Sequence, residues 1–332
     1  MTAIYGTLGP ACADLETLTE MFAAGMTGIR LNLSHTGLLQ ASGQIKAMRE
    51  AAARNGKTAQ LLIDLQGPEL RIGALSGPQT LLDGSELYLG EGGIPLAEPL
   101  LSCLRPGQQM LLDDGKLLLE ILSSKPHSAL ARVVRGGVLR SRKSIAIPDV
   151  SIHLPAITPL DMENISLASE YGVTAVMQPF VRDRNDLETV REALNCSGCA
   201  DVRLLAKIEN REGAARLEEL IPACDEIVIA RGDLGNAVPL WELPAMQKKI
   251  AAKCRRAGRD FMVVTQMLTS MEHNPVPTRA EVSDIFNAVC DGAASVMVTG
   301  ETAVGKYPVE VIRYLARTVE QALEYRSLQM LP

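Results

Sequence analysis

Short runs of Val, Ile and Leu alternate with longer stretches of helical period along most of this chain, and no other feature restricts its fold as much. Parallel strands cannot be joined by a tight turn and need a crossover, normally a helix, so the alternation implies a parallel sheet. Strands are predicted at residues 3–7, 28–33, 60–65, 174–178, 203–208, 226–231, 261–265 and 295–299. Helical spacing is predicted over 15–24, 38–55, 186–194, 214–221, 243–257, 280–291 and 309–326, with Gly25 and Gly56 suiting two helix ends. Eight such strands close a cylinder, so the expected fold class is α/β, a (β/α)8 TIM barrel.

One stretch breaks the rhythm. Residues 74–147 are dense in turn-forming Gly and Pro (Gly77-Pro78, Gly92-Gly93, Pro106-Gly107, Gly136-Gly137) and carry only short apolar runs. They are predicted to form a small β-rich domain inserted after the third strand, leaving 1–73 and 148–332 for the barrel. The few residues after the last predicted helix leave no expectation of a further C-terminal domain.

Composition narrows the partners. With 33 Lys and Arg against 39 Asp and Glu, the formal net charge is −6, and aromatic residues make up only 3%. Such a chain has little with which to grip phosphate backbones or stack bases, so nucleic acid is not expected as a partner. No apolar run reaches the ~18 residues of a membrane span, and the N-terminus lacks a secretory pattern. Seven cysteines, an odd number, point to free thiols and a cytoplasmic location rather than a disulfide scaffold. Cys196-Ser-Gly-Cys199 has suggestive spacing, but no second pair or neighbouring His completes a zinc set, and it reads as a loop.

Polar residues gather where each predicted strand ends. These ends read Arg30-Leu-Asn32-Leu-Ser34, Asp64, Lys207-Ile-Glu209, Arg231-Gly-Asp233, Thr265-Gln266 and Thr299-Gly-Glu301. Barrel active sites lie at this carboxyl face. Alternation along a strand predicts that Arg30, Asn32 and Ser34 share a face, as do Lys207 with Glu209 and Arg231 with Asp233. Two carboxylates from neighbouring strands then call for a hard divalent cation, Mg²⁺ or Mn²⁺. The alternative is that Lys207–Glu209 and Arg231–Asp233 are structural ion pairs. Two Gly-containing turns, at 231–235 and 299–302, offer backbone N–H groups for an anion.

At these residues the sequence resembles the pyruvate kinase family. The segments that carry the resemblance are Gly28-Ile-Arg-Leu-Asn-Leu-Ser-His35, Asp64-Leu-Gln-Gly-Pro-Glu-Leu-Arg71, Asp113-Asp-Gly115, Ala206-Lys-Ile-Glu-Asn210, Ala230-Arg-Gly-Asp-Leu-Gly235, Thr265-Gln-Met-Leu268, Pro277-Thr-Arg-Ala-Glu281 and Thr299-Gly-Glu-Thr-Ala303. They occur in the family's order, with the inserted domain where the family carries its lid. The resemblance implies phosphoryl transfer from phosphoenolpyruvate to ADP, giving pyruvate and ATP, with Mg²⁺ or Mn²⁺ and usually K⁺. It implies Lys207, Arg30 and Thr265 as catalytic residues, and Arg30, Lys207, Gly232, Asp233 and Thr265 on the substrate. Glu209 and Asp233 would hold the divalent ion, and Asn32, Ser34, Asp64 and the Leu65 carbonyl would hold K⁺. Arg71, Lys143 and His35 would serve the nucleotide, and Asp114 and Lys143 would reach the site on lid closure. A homo-oligomer, a dimer first, is the implied assembly.

The sequence also departs from the family pattern. Pro179 stands in place of a Ser at the fourth strand end, Ala237 in place of a Glu, and Leu65 in place of a frequent Thr. The inserted domain is short, and without a further domain the family's effector site is not expected. Glu69 resembles the K⁺-dependent form. Two other readings use the same Lys207–Glu209–Asp233 set: a metal-dependent aldolase or lyase acting on a pyruvate enolate, and a non-catalytic relative.

Overall fold

A computed structural model describes residues 2–113, 115–148 and 154–329. In chain order the strands are β1 (Ala3–Thr7), β2 (Gly28–Asn32), β3 (Gln60–Asp64), β4 (Gln79–Leu81), β5 (Glu86–Gly90), β6 (Gln109–Leu112), β7 (Leu117–Lys125), β8 (Ser128–Arg135), β9 (Gly137–Leu139), β10 (Ile145–Ala146), β11 (Ala175–Gln178), β12 (Arg203–Ile208), β13 (Glu226–Ala230), β14 (Asp260–Val264) and β15 (Ser295–Met297). The chain divides into two compact units: Met1–Gly67, Ala156–Arg231 and Pro244–Pro332 form one, and Pro68–Pro155 with Gly232–Leu243 the other.

The first unit is a closed barrel in the order β1-β15-β14-β13-β12-β11-β3-β2, with every neighbour parallel. The eight expected strands are all present. The barrel interior is packed with side chains: Tyr5, Leu62, Met177, Leu205, Val228 and Met262 belong to one buried cluster. A close approach at β2 requires glycine, because a Cβ on Gly28 would lie 2.5 Å from the Tyr5 ring and 2.7 Å from the Gln60 carbonyl oxygen.

Polar groups close the amino-terminal floor of this interior. The Tyr5 hydroxyl is bonded to Gln60 Oε1. Ser295 Oγ donates to Glu226 Oε1, and Arg203 Nη2 lies 3.0 Å from Glu226 Oε2. Burial pushes the Glu226 carboxyl above its ordinary range despite the Ser295 hydroxyl and Arg203, and burial likewise raises the Tyr5 phenol.

Helices wrap the barrel, each starting where its sequence supplies a cap. Asp14 accepts the Thr17 N–H at 2.9 Å and opens Leu15–Ala23, which buries Leu18, Met21 and Phe22. Thr278 and Glu281 form a reciprocal capping box for Arg279–Cys290. The helix expected over 214–221 is instead two short helices, Arg211–Ala215 and Leu217–Leu220, parted at Arg216. A helix not read from the sequence, Pro159–Leu167, has its own capping box of Thr158 and Asp161. Among the described residues, no helix is long and apolar enough to cross a membrane. All seven cysteines are free thiols, and Cys196 ends the helix Arg184–Cys196.

The second unit is antiparallel. Its main sheet runs β10-β6-β7-β8-β5, with β4 and β9 paired separately. Along β7 the odd positions Leu117, Leu119 and Ile121 are buried while Leu118 and Glu120 are not, the period-two pattern of a sheet with one face on a core. Met110, Leu112, Ala131 and Val133 complete that core from the adjoining strands.

Candidate active site

The interior register dictates what reaches the carboxyl face of the barrel. Leu62 lies beside Ala175, and Met177 beside both Asp64 and Leu205. Leu62, Met177 and Leu205 all point inward. Asp64 and Lys207 each follow an inward residue by two positions, so both project into the same upper layer. Tyr5 pairs with Gly28 and Thr7 with Arg30, which brings Arg30 into that layer too.

The three side chains meet there. Arg30 Nε and Nη2 donate to Asp64 Oδ2 at 2.9 and 2.7 Å, and Lys207 Nζ reaches the same oxygen at 3.1 Å. On its other side Lys207 Nζ lies 3.0 Å from Glu209 Oε1. The Asp64 and Glu209 side chains are each 2% exposed, and that of Lys207 12%. Burial alone would push the Asp64 carboxyl up, but Lys207 and Arg30 outweigh it and hold the group below the usual carboxylate range. Burial would likewise lower the Lys207 ammonium, yet Asp64 and Glu209 overcome that and raise it. Both groups are therefore charged at neutral pH.

Among the described residues, the second Asp64 oxygen, Oδ1, is buried without a hydrogen-bond partner. Leaving a buried carboxylate oxygen unsatisfied is costly, and a coordinated cation relieves that cost. Asp64 thus fits an oxygen-ligated cation such as K⁺. Glu209 offers oxygen of the hardness Mg²⁺ or Mn²⁺ takes, and its Oε2 is held by the Phe180 N–H at 2.8 Å. Among the described residues no three His, Cys, Asp or Glu side chains converge as a ready metal cage. A divalent ion would therefore draw further oxygens from ligand and water, as Mg²⁺ usually does.

Several strand-end expectations need correction. β13 stops at Ala230, and Arg231–Ala237 is a helix. Residues two apart on a helix point about 200° apart, so Arg231 and Asp233 do not share a face, and the expected turn at 231–235 is helical. Arg231 Nη1 lies 2.5 Å from Asp284 Oδ2, and Nε and Nη2 donate to the Thr265 carbonyl at 3.2 and 2.7 Å. β2 ends at Asn32, whose Oδ1 accepts the Ser34 N–H at 3.1 Å, so Ser34 lies in a turn and strand alternation does not orient it. Glu301, 1% exposed, is a structural acceptor for the Leu268 and Thr299 N–H groups at 3.1 and 2.7 Å. Charge at the strand ends is thus divided between scaffold and site.

Thr265 lies just past β14 with φ +70°, and Gln266 follows at +54°. The left-handed region is a genuine outlier for a β-branched residue and costs about 1–3 kcal/mol. Phe180, whose N–H holds Glu209, is left-handed as well at φ +51°. Asp161 was missed in the sequence. Its carboxylate accepts the Gln66 and Gly67 N–H groups at 2.7 and 3.0 Å, fixing the turn that leaves Asp64. The signal that could have found it is Thr158-Pro-Leu-Asp161, the spacing of a capping box. Leu65 is buried and His35 is exposed.

In the second unit, Arg71 Nη2 pairs with Glu69 at 2.8 Å and Nη1 donates to the Arg142 carbonyl at 2.7 Å. Lys143 Nζ lies 2.7 Å from Asp113 Oδ1. Asp114 lies outside the described residues.

Residues 1–312 match the family model described as pyruvate kinase, barrel domain. The chain belongs to the pyruvate kinase family. It is similar to the pyruvate kinase of Geobacillus stearothermophilus, 38% identical over 341 residues, covering 98% of this chain and 58% of that one. Similar to it also are the pyruvate kinases of Aeropyrum pernix, 36% identical with 99% and 72% covered, and Thermococcus litoralis, 37% with 98% and 70%. The chain thus spans a little over half the length of the Geobacillus enzyme. Lys207, Glu209, Arg30 and Asp64 all stand in segments whose order resembles this family.

Proposed function

We propose that this chain transfers the phosphoryl group of phosphoenolpyruvate to ADP, giving pyruvate and ATP. The observation that carries the reading is the convergence of Arg30 and Lys207 on one Asp64 oxygen, with Glu209 on the far side of Lys207. The nucleotide's terminal phosphate oxygen attacks phosphorus, the bond to the enol oxygen breaks, and that oxygen leaves with the electron pair. Arg30 binds the phosphoryl oxygens. Lys207 neutralises charge on the group in transit and on the enolate that remains. Thr265 is assigned to the carboxylate and the carbon that takes up the proton, and Gly232 and Asp233 to the remaining substrate contacts.

Glu209 and Asp233 are the proposed ligands of Mg²⁺ or Mn²⁺, and Asn32, Ser34, Asp64 and the Leu65 carbonyl those of K⁺. Bound there, the ions supply positive charge that steadies the anionic substrate and enolate. Arg71, Lys143 and His35 are proposed for the nucleotide phosphates. Activity in the cytoplasm as a homo-oligomer, with a dimer first, completes the proposal, and the free thiols support that compartment.

Pyruvate formation from phosphoenolpyruvate and ADP with Mg²⁺, with and without K⁺, tests it. Wild type is expected to turn over and Lys207→Met to lose activity. A folded wild type that makes no pyruvate with any nucleotide or cation overturns the reading. Condensation of pyruvate with an aldehyde in the absence of nucleotide would instead indicate a lyase.

A further inference from the structure

We infer that Arg231 is a positioning residue that holds Thr265 in its left-handed backbone and so governs the proton-transfer half of the reaction. This inference rests on the function proposed above. Thr and Gln in succession at φ +70° and +54° are conformations the residues do not favour by themselves, so something outside them must hold the turn. The Thr265 hydroxyl donates to the Val264 carbonyl at 2.5 Å, within the turn itself, and the Arg231 guanidinium is a restraint from outside it. Two of its nitrogens donate to the single Thr265 carbonyl, at 3.2 and 2.7 Å, and Nη2 also lies 2.9 Å from Met267 Sδ. The fork is itself fixed from behind, by Asp284 at 2.5 Å and Gln247 Oε1 at 3.5 Å. Arg231 is 8% exposed, so its orientation is set by these partners rather than by water.

The geometry separates Arg231 from the phosphoryl side. Arg30 and Lys207 are anchored on Asp64 and Glu209, and none of the groups holding Arg231 takes part in that cluster. Removing the guanidinium should let the peptide after Thr265 rotate, moving the Thr265 hydroxyl while Arg30 and Lys207, held by Asp64 and Glu209, keep their places. Displacement of a reacting group by about 1 Å is enough for losses of roughly 100-fold.

The test compares wild type, Arg231→Ala, Arg231→Lys and Asp284→Asn in two assays: turnover of phosphoenolpyruvate with ADP, and exchange of pyruvate methyl protons with deuterium, followed by NMR. For Arg231→Ala, kcat and methyl exchange are expected to fall roughly 30-fold or more, with the KM for phosphoenolpyruvate within about threefold of wild type. Free guanidinium at low concentration should restore part of the loss, and methylammonium should not. Arg231→Lys, one point charge in place of a planar fork, should recover little. Should Arg231→Ala not fold, Asp284→Asn decides, with a smaller loss in the same two quantities. Wild-type methyl exchange in a folded Arg231→Ala, or in Asp284→Asn if that variant is the one that folds, overturns the inference. So does a loss confined to KM. Backbone amide exchange at residues 265–268, expected to quicken in Arg231→Ala, is read without any substrate. A silent wild type would defeat the proposed function alone, whereas unchanged amide exchange in the variant would defeat the positioning role alone.

Discussion

Lys207→Met removes the cation between two buried carboxylates, and the cost follows from what is left behind. Met fills a similar volume, so packing changes little. Asp64 retains Arg30 at 2.7 Å but loses the second cation, and Glu209 Oε1 loses its partner at 3.0 Å. Removing one member of a buried ion pair costs about 3–5 kcal/mol, because the other charge stays buried without compensation. At about 2–4 °C per kcal/mol for a domain of this size, the melting temperature should drop by roughly 6–20 °C at pH 7. The pH dependence distinguishes this cause from a packing defect. Asp64 is held below its unfolded value, so its contribution is present above the unfolded pKa near ~4 and is lost only as pH falls through the depressed folded value. Without Lys207 that depression weakens and the mutant's Asp64 takes up a proton at higher pH, relieving its own penalty. The stability gap between wild type and mutant should therefore stay constant from pH 7 to the unfolded value near ~4 and narrow as pH falls below it. Lys207 is raised, so its contribution is complete below its unfolded value near ~10.4 and fades as pH rises toward the folded one. The gap should close in strong alkali as well. Urea unfolding across this range, read by circular dichroism, is the assay. A gap independent of pH, or no gap at pH 7, refutes the assignment of Lys207 as the shared counter-ion.

Further outcomes follow from the same contacts. Glu209→Gln keeps an acceptor for the Phe180 N–H but loses the carboxylate charge, so Mn²⁺ affinity measured by electron paramagnetic resonance should weaken at least about tenfold with the fold intact; unchanged affinity removes Glu209 from the ligand set. Asp64→Asn strips Arg30 and Lys207 of their common anion, costing about 3–5 kcal/mol, and should abolish any rise in melting temperature produced by K⁺ over tetramethylammonium. Glu301→Ala leaves the Leu268 and Thr299 N–H groups without their acceptor, at about 1–3 kcal/mol each, measurable as a lower urea midpoint.

Much of the barrel could be read directly from the chain, because each strand is an apolar run and each crossover has a helical period. The inserted sheet showed itself through its turns. The Arg30–Asp64 contact follows from neighbouring strands, since β2 and β3 pair with Asn32 beside Asp64. Lys207 meeting Asp64 is less accessible: β11 lies between their strands, and only the register through Met177 puts both side chains in one layer. The strand ends misled for a physical reason. A polar residue after an apolar run announces that the strand is over, but not whether a helix begins at once, as at Arg231, or a turn, as at Ser34. Nor does its charge identify its partner. Arg231 found Asp284 and Glu301 found backbone amides, both through contacts that local spacing does not encode. The left-handed Thr265 is the least legible of all, because its own conformational preference points the other way.

Acidic side chains at the two ends of this cylinder are driven in opposite directions. Glu226 on the floor is reluctant to ionise, whereas Asp64 at the rim is reluctant to accept a proton. An amide in place of the first should cost less than the same exchange at the second, which removes the anchor of two cations. The barrel thus holds an acid firmly ionised at the end where two cations converge on it, and discourages ionisation of the acid buried at the opposite end.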